Sequence, residues 1–202
     1  MTTPDFIYLA SQSPRRRQLL DQIGVRHDLL LPDDDEDAEA LEAVLPGEAP
    51  PDYVQRVTQA KLEAALARLK RRRSPSAPVL CADTTVALGR RILGKPSDAS
   101  EAREMLAALS GHEHRVLTAV AIGQGRRREM LLNVSRVRFA PVPPEQIEAY
   151  VASGEPMGKA GAYAIQSRAA LWIERINGSY SSIMGLPLHE TGLLLQRFGV
   201  RF

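Results

Sequence analysis

The stretch that decides the fold class is "PVLCADTTVALGRRILGKP", residues 78–96. Residues 78–88 are mostly apolar or β-branched, which is typical of a strand buried in a sheet. Gly89 and Gly94 then fall across a predicted hairpin rather than between a strand and a helix. Helical periodicity before and after this stretch makes the fold class α/β with a mixed sheet.

The remaining elements follow from hydrophobic periodicity and from helix start and stop signals. We predict strands near residues 6–10, 78–88, 114–123, 129–140, 160–166 and 169–176. We predict helices near Pro14 to Ile23, Asp52 to Arg72, 98–109, 143–153 and 187–198. Residues 1–202 are expected to form a single domain with a mixed, twisted sheet flanked by helices.

Composition excludes several classes of protein. Apolar residues make up 44% of the 202 residues and charged residues 25%, as in ordinary folded chains. The formal net charge of +2 is too small to indicate nucleic-acid binding. No run approaches the roughly 18 apolar residues of a membrane span, so we expect no membrane partner. The single cysteine, Cys81, excludes an internal disulfide and favours a reducing, cytoplasmic location.

The segment "LASQSPRRRQLL", residues 9–20, places cations at the start of a helix. Ser13 suits the N-cap and Pro14 the first helical position. Arg15 and Arg16 then lie in the first turn, where the helix dipole disfavours positive charge. A bound polyanion such as phosphate would explain them, and side chains that simply extend into water are the alternative.

A lysine interrupts the apolar face of the long helix. At ~100° per residue, Val54, Val57, Ala65 and Leu69 share one arc, and Lys61 projects from its middle. Lys61 either extends past the edge of the core into water or points into a cleft that holds a charged ligand.

Asp83 is the carboxylate within the buried strand of residues 78–88. Burying it costs several kcal/mol unless it is paired, protonated or bound to a metal. A general base, a Mg²⁺ ligand and a structural salt bridge are the three explanations. Gly89, Gly94 and Lys95 match a phosphate-binding loop only in part, because Pro96 replaces the required Ser or Thr. Lys95 remains a candidate phosphate contact.

Two glycine-rich segments and a histidine pair complete the candidates. "GKAGAYAIQ", residues 158–166, could admit a flat ligand, with Gln166 as donor and acceptor to a base edge. "NGSYSSIMGLP", residues 177–187, could present backbone N–H groups to phosphate. His112 and His114 lack a third nearby ligand, so we expect no zinc site and an exposed loop that enters a strand.

Taken in order, these segments resemble the Maf family of nucleoside triphosphate pyrophosphatases. The similarity rests on "LASQSPRRRQLL", "ADTTV", "LGKP", "KAGAYAIQ" and "GSYSSIMGLPL" and spans residues 6 to 195. The resemblance implies two lobes around a deep cleft, a homodimer, and Mg²⁺- or Mn²⁺-dependent hydrolysis of a nucleotide to its monophosphate and pyrophosphate. It also implies a link to cell-division arrest.

The resemblance also implies residue roles. Asp83 would accept the proton, and Glu36 would hold the metal with Asp83, although the run leaves open which acidic residue from Asp33 to Glu36 takes this place. The implied substrate contacts are Ser11, Arg15, Arg16, Lys61, Thr84, Lys95 and Gln166. Arg15, Thr84 and Gln166 are similar to the branch that acts on dTTP and UTP. The alternatives are the branch that acts on 7-methyl-GTP and a non-catalytic nucleotide-binding regulator of septation.

Overall fold

A computed structural model describes residues 5–33, 36 and 40–202. Within this part of the chain, strands and helices alternate at first and strands then follow one another. The strands are β1 (Ile7–Leu9), β2 (His27–Leu29), β3 (Val79–Leu88), β4 (Arg91–Leu93), β5 (Glu113–Gln124), β6 (Arg127–Phe139) and β7 (Ile173–Asn177). The helices are α1 (Pro14–Gln22), α2 (Pro50–Arg71), α3 (Ala99–Leu109), α4 (Pro144–Ala152), α5 (Tyr180–Met184) and α6 (Leu188–Arg197).

The strands form one mixed sheet in the order β2-β1-β3-β5-β6-β7, with β4 paired to β3. Strand β1 runs parallel to β2 and to β3, and the remaining pairs are antiparallel. The parallel pairs need crossover connections, which α1 and α2 supply, whereas short turns join β3 to β4 and β5 to β6. The predicted α/β class with a mixed sheet and flanking helices is therefore confirmed.

The long helix α2 packs on the sheet against β3 and β5. Its buried face includes Val54, Val57, Ala65 and Leu69, as the periodicity predicts, and also Leu62. Burial of each fully covered Val or Leu side chain contributes about 1.5–3 kcal/mol. The helix is thus fixed firmly enough to hold a polar side chain in a defined place.

The prediction for the segment of residues 160–166 is wrong. Ala160–Ala162 form a 3-10 turn, in which Gly161 and Ala162 have φ angles of 67° and 61°. Such left-handed backbone cannot continue a strand. A Cβ on Gly161 would lie 2.9 Å from the Val86 side chain, so glycine permits this turn to pack closely on β3. The small residues serve backbone packing here.

One boundary and two short elements also differ from the expectation. The segment near 169–176 begins with a 3-10 turn, Arg168–Trp172, and becomes the strand β7 only from Ile173. Strand β2 and helix α5, of three and five residues, were not predicted. Elements this short repeat the hydrophobic period less than twice, so the pattern alone is a weak signal for them.

No helix in the described part of the chain is both long and apolar enough to cross a bilayer. Cys81, on β3, is a free, buried thiol.

Candidate active site

A cavity of about 430 Å³ opens beside the middle of β3. Several segments line it: the approach to α1, the turn at Glu42, helix α2, strand β3, the residues after β4, the turn after α4 and the end of α5. It contains every predicted substrate contact, namely Ser11, Arg15, Arg16, Lys61, Thr84, Lys95 and Gln166, together with Asp83. The fold therefore brings residues from distant parts of the sequence to one place.

The two arginines at the start of α1 donate hydrogen bonds to backbone carbonyls at the end of α5. Arg16 donates from Nε to the Gly185 carbonyl at 2.7 Å and from Nη1 to Ser11 Oγ at 3.1 Å. Arg15 donates from Nε to the Met184 carbonyl at 3.3 Å. Burial lowers the pKa of both guanidinium groups, which still remain protonated. The interpretation that these side chains simply extend into water is therefore wrong.

The charge of Arg15 and Arg16 is not neutralised by the protein groups that hold them. Their partners are carbonyl and hydroxyl oxygens, and in the described residues neither arginine forms an ion pair. Two guanidinium groups next to the positive end of a helix favour an anion at this wall.

Lys61 projects from α2 into the cavity and joins two carboxylates. Its Nζ lies 2.5 Å from Asp83 Oδ1 and 2.7 Å from Glu42 Oε1. Burial acts to lower the pKa of Lys61, but Asp83 and Glu42 outweigh it, so that the pKa is raised above its ordinary value. Of the two explanations for Lys61, the cleft is the one that the structure supports.

Asp83 is buried on β3 and faces the cavity. The ion pair with Lys61 offsets part of the cost of burying its carboxylate. The salt-bridge explanation is thus correct for the resting geometry. It does not exclude a chemical role, because the same carboxylate borders the space where a ligand would lie.

Glu42 is the carboxylate that sequence reasoning missed. It lies in a 3-10 turn, Ala40–Glu42, and its Oε2 is 2.8 Å from Lys95 Nζ. Tyr53 donates its hydroxyl to the Glu42 carbonyl at 2.9 Å, which fixes the turn against α2. Burial acts to raise the pKa of Glu42, but Lys61 and Lys95 more than compensate and lower it.

Glu36 lies elsewhere. Its carboxylate accepts from Arg68, at 2.5 Å and 2.9 Å, and from Arg71, at 2.5 Å. The bond from Arg68 lowers the pKa of Glu36 to about 2 despite some burial. Glu36 does not line the cavity, whereas Glu42 does. Asp33 pairs with Arg71 and Arg72, and residues 34–35, within the same predicted ligand run, lie outside the described residues.

Thr84 and Gln166 border the cavity at different depths. Thr84 is half-buried and its Oγ1 lies 3.0 Å from Thr118 Oγ1, whereas Gln166 is exposed. Gly185, at a φ of 120°, leaves space between Thr84 and Arg16, since a Cβ there would lie 3.7 Å and 3.6 Å from their Oγ1 and Nε. Lys159 was missed, although a cation beside the glycines of residues 158–161 was a visible signal. Burial, and then Arg15, lower the pKa of Lys159.

The expectation for the histidines is half wrong. His112 is exposed, but His114 is buried on β5, with Nε2 2.7 Å from the Tyr163 hydroxyl. Burial lowers the pKa of His114 to about 4, so the ring is neutral at pH 7. Tyr163 lines the cavity, so the buried His114 holds a side chain of the cavity wall in place.

The described residues contain no group of three or more His, Cys, Asp or Glu side chains arranged to hold a metal. Asp83 and Glu42, which both line the cavity, nevertheless contact the same Lys61 Nζ. A Mg²⁺ or Mn²⁺ site commonly uses one or two carboxylates and takes its other oxygens from phosphate and water. The carboxylate pair therefore fits a divalent cation that arrives with a polyphosphate.

The fold and the cavity together define a class of protein. It is an α/β protein whose cleft presents cations from several segments around two carboxylates, the buried Asp83 and the partly exposed Glu42. This arrangement suits a polyphosphate and a divalent cation. Comparison with known proteins gives the family. The family model described as "Maf-like protein" matches residues 6–198, and the chain belongs to this family.

Curated relatives are similar over their whole length. A protein of Albidiferax ferrireducens named dTTP/UTP pyrophosphatase is 67% identical over 98% of both chains. A Polaromonas protein of the same name is 64% identical over 100% of both chains. A third, from Cupriavidus pinatubonensis, is 61% identical over 98% of this chain and 99% of its own.

Proposed function

We propose that the protein is a nucleoside triphosphate pyrophosphatase that hydrolyses dTTP and UTP to the monophosphate and pyrophosphate. The observation that carries this proposal is the arrangement of Arg15, Arg16, Lys61 and Lys95 around Asp83 in one cavity. The names of the relatives supply the substrates, since each is called a dTTP/UTP pyrophosphatase.

The cations would hold the triphosphate. Arg15 and Arg16 present guanidinium groups, whose planar forks match phosphate oxygens, and Lys61 and Lys95 present compact charges. Because Glu42 contacts both lysines, the phosphates must displace it or share a cation with it. Cations near the leaving pyrophosphate offset the negative charge that develops on it as the bond breaks.

Asp83 would act as the general base. Lys61 holds Oδ1, which leaves the other carboxylate oxygen to accept a proton from water. The water oxygen bonds to the α-phosphorus, the bond to the bridging oxygen of the β-phosphate breaks, and pyrophosphate leaves. The proton resides on Asp83 and returns to solvent.

The divalent cation would be held by Asp83 and Glu42 with oxygens of the triphosphate. When bound, it supplies positive charge against the phosphates. Glu36 is not retained for this role, because Arg68 and Arg71 engage its carboxylate.

Arg15, Thr84 and Gln166 would select the nucleotide. All three border the cavity, and they are the positions at which the sequence resembles the dTTP- and UTP-hydrolysing branch. We also propose that the chain acts as a single domain, assembles as a homodimer and works in the cytoplasm. Light scattering on a sizing column would test assembly, with a dimer at twice the 22.2 kDa of one chain.

A substrate panel tests the function. The protein is incubated with dTTP, UTP, CTP and 7-methyl-GTP in Mg²⁺ or Mn²⁺, and pyrophosphate and single phosphate are measured separately. Pyrophosphate from dTTP and UTP is expected. A preference for 7-methyl-GTP would identify the other branch, and single phosphate an ordinary phosphatase. Binding of nucleotides without any turnover would favour the regulator of septation.

A further inference from the structure

A chain of hydroxyl groups runs from the cavity into the core. Thr84 on β3 and Thr118 on β5 face each other directly in the sheet. Their Oγ1 atoms are 3.0 Å apart, and Thr118 Oγ1 lies 2.8 Å from the Ser182 carbonyl oxygen on α5. Thr118 is fully buried and does not line the cavity, whereas Thr84 does.

The direction of each hydrogen bond follows from the number of protons. A threonine hydroxyl has one proton to donate, and a carbonyl oxygen can only accept. Thr118 must therefore donate to Ser182, which leaves it no proton for Thr84. In the contact between the two hydroxyls, Thr84 is consequently the donor. Its proton is directed into the protein, and only lone pairs remain for a ligand.

We propose that Thr118 is a positioning residue that makes the Thr84 hydroxyl a hydrogen-bond acceptor, so that this wall selects nucleotides that present a donor. This inference rests on the proposed function and deepens it. The imide N–H of uracil and thymine is one such donor, and cytosine carries an acceptor at the same ring position. A hydroxyl group of the sugar is the second possible donor.

Thr118 has a second effect that a test must separate from the first. By holding Ser182 it anchors α5, and the carbonyls of Met184 at its end and of Gly185 next to it receive Arg15 and Arg16. Loss of this anchor would weaken the binding of every triphosphate alike. Selection by Thr84 would instead alter the ratio of kcat/KM between two nucleotides, from which a loss common to both cancels.

The experiment compares Thr118→Val, which removes the hydroxyl at nearly constant volume, with Thr118→Ser, which keeps it. The ratio of kcat/KM is measured for UTP over CTP, which tests the base, and for dTTP over its 3′-deoxy analogue, which tests the sugar. In Thr118→Val the Thr84 proton is free to turn towards the ligand. At least one ratio should fall by roughly tenfold in Thr118→Val and stay within about twofold of wild type in Thr118→Ser.

The inference would be overturned if both kcat/KM ratios stay unchanged in a folded Thr118→Val protein. It would also be overturned if both ratios, for the base and for the sugar, are near one in the wild type. If Thr118→Val does not fold, Thr84→Val replaces it, with Thr84→Ser as its control, and is judged by the same ratios. If the wild type binds nucleotides without turnover, the catalytic proposal fails. The inference about Thr118 can then still be tested, with the ratios taken from dissociation constants. If it binds none, both proposals fail.

Discussion

Lys61 and Asp83 form an ion pair of 2.5 Å between helix α2 and strand β3, although they are 22 residues apart in the chain. Each was anomalous by itself, a lysine on an apolar helix face and a carboxylate in a buried strand. Their contact explains how both charges are tolerated, because each lowers the cost of burying the other. Glu42 joins the pair through Lys61, and all three side chains line the cavity.

Replacement of Asp83 by Asn should abolish most of the turnover. The amide keeps the shape of the side chain but cannot accept the proton of water at neutral pH, so we expect kcat to fall by roughly 10³-fold or more. Calorimetry with a non-hydrolysable nucleotide in the absence of divalent cation should show a dissociation constant near that of wild type, because Asp83 itself does not hold the phosphates. The matched control is Asp28→Asn, at an exposed position of β2. Near-normal turnover in Asp83→Asn would rule out the general-base role.

Glu42→Gln should weaken metal binding, whereas Glu36→Gln should lower the stability of the fold. If Glu42 helps to hold the cation, its amide variant should need roughly tenfold more Mn²⁺ for half-saturation, measured by calorimetry with a non-hydrolysable nucleotide present. Glu36→Gln should leave that value unchanged. It should instead lower the free energy of unfolding by about 1–3 kcal/mol, because the buried Arg68 loses its carboxylate partner. The reverse pattern would restore the metal role to Glu36.

Arg16→Ala should raise KM for UTP far more than Arg17→Ala does. Arg16 is held in the cavity by Gly185 and Ser11, whereas Arg17 is exposed and lies outside it. Loss of one charged hydrogen-bonding partner of a phosphate is worth about 1.5–3 kcal/mol, which corresponds to an increase in KM of roughly 10- to 150-fold. Steady-state kinetics on the two variants measures the difference. Equal effects would contradict the assigned geometry.

His114 should make the protein less stable in mild acid. Burial holds its pKa at about 4 in the folded state, against an ordinary value of 6.5, so the unfolded chain binds more protons between these pH values. The free energy of unfolding from this group is therefore fully present above pH 6.5 and is lost as the pH falls towards 4. Urea unfolding at pH 7 and pH 5 should give a loss that is roughly 2 kcal/mol larger in wild type than in His114→Gln. Carboxylates titrate mainly below this range, so parallel losses in the two proteins would refute the role of His114.

Much of the fold was predictable because local patterns agree with it. The buried strand of residues 79–88, the helix that begins at Pro14 and the apolar face of α2 each carry a full period of signal. The failure at residues 160–166 has a local cause. Tyr163 and Ile165 alternate with small residues as in a strand, although glycine and alanine are poor strand formers. The positive φ at Gly161, which packs on Val86, makes the segment a turn.

The same division holds for the site. By itself the sequence determined which side chains break a local rule. They are Arg15 and Arg16 at a helix start, Lys61 in an apolar face and Asp83 in a buried strand. Such locally unfavourable placements persist only where another interaction compensates them. Tertiary structure alone decided that Glu42, not Glu36, meets Lys61 and Lys95. Tyr53 holds the turn of Glu42 against α2, whereas Arg68 binds Glu36. Spacing along an acidic run cannot show this difference, because it depends on packing between segments far apart in the chain.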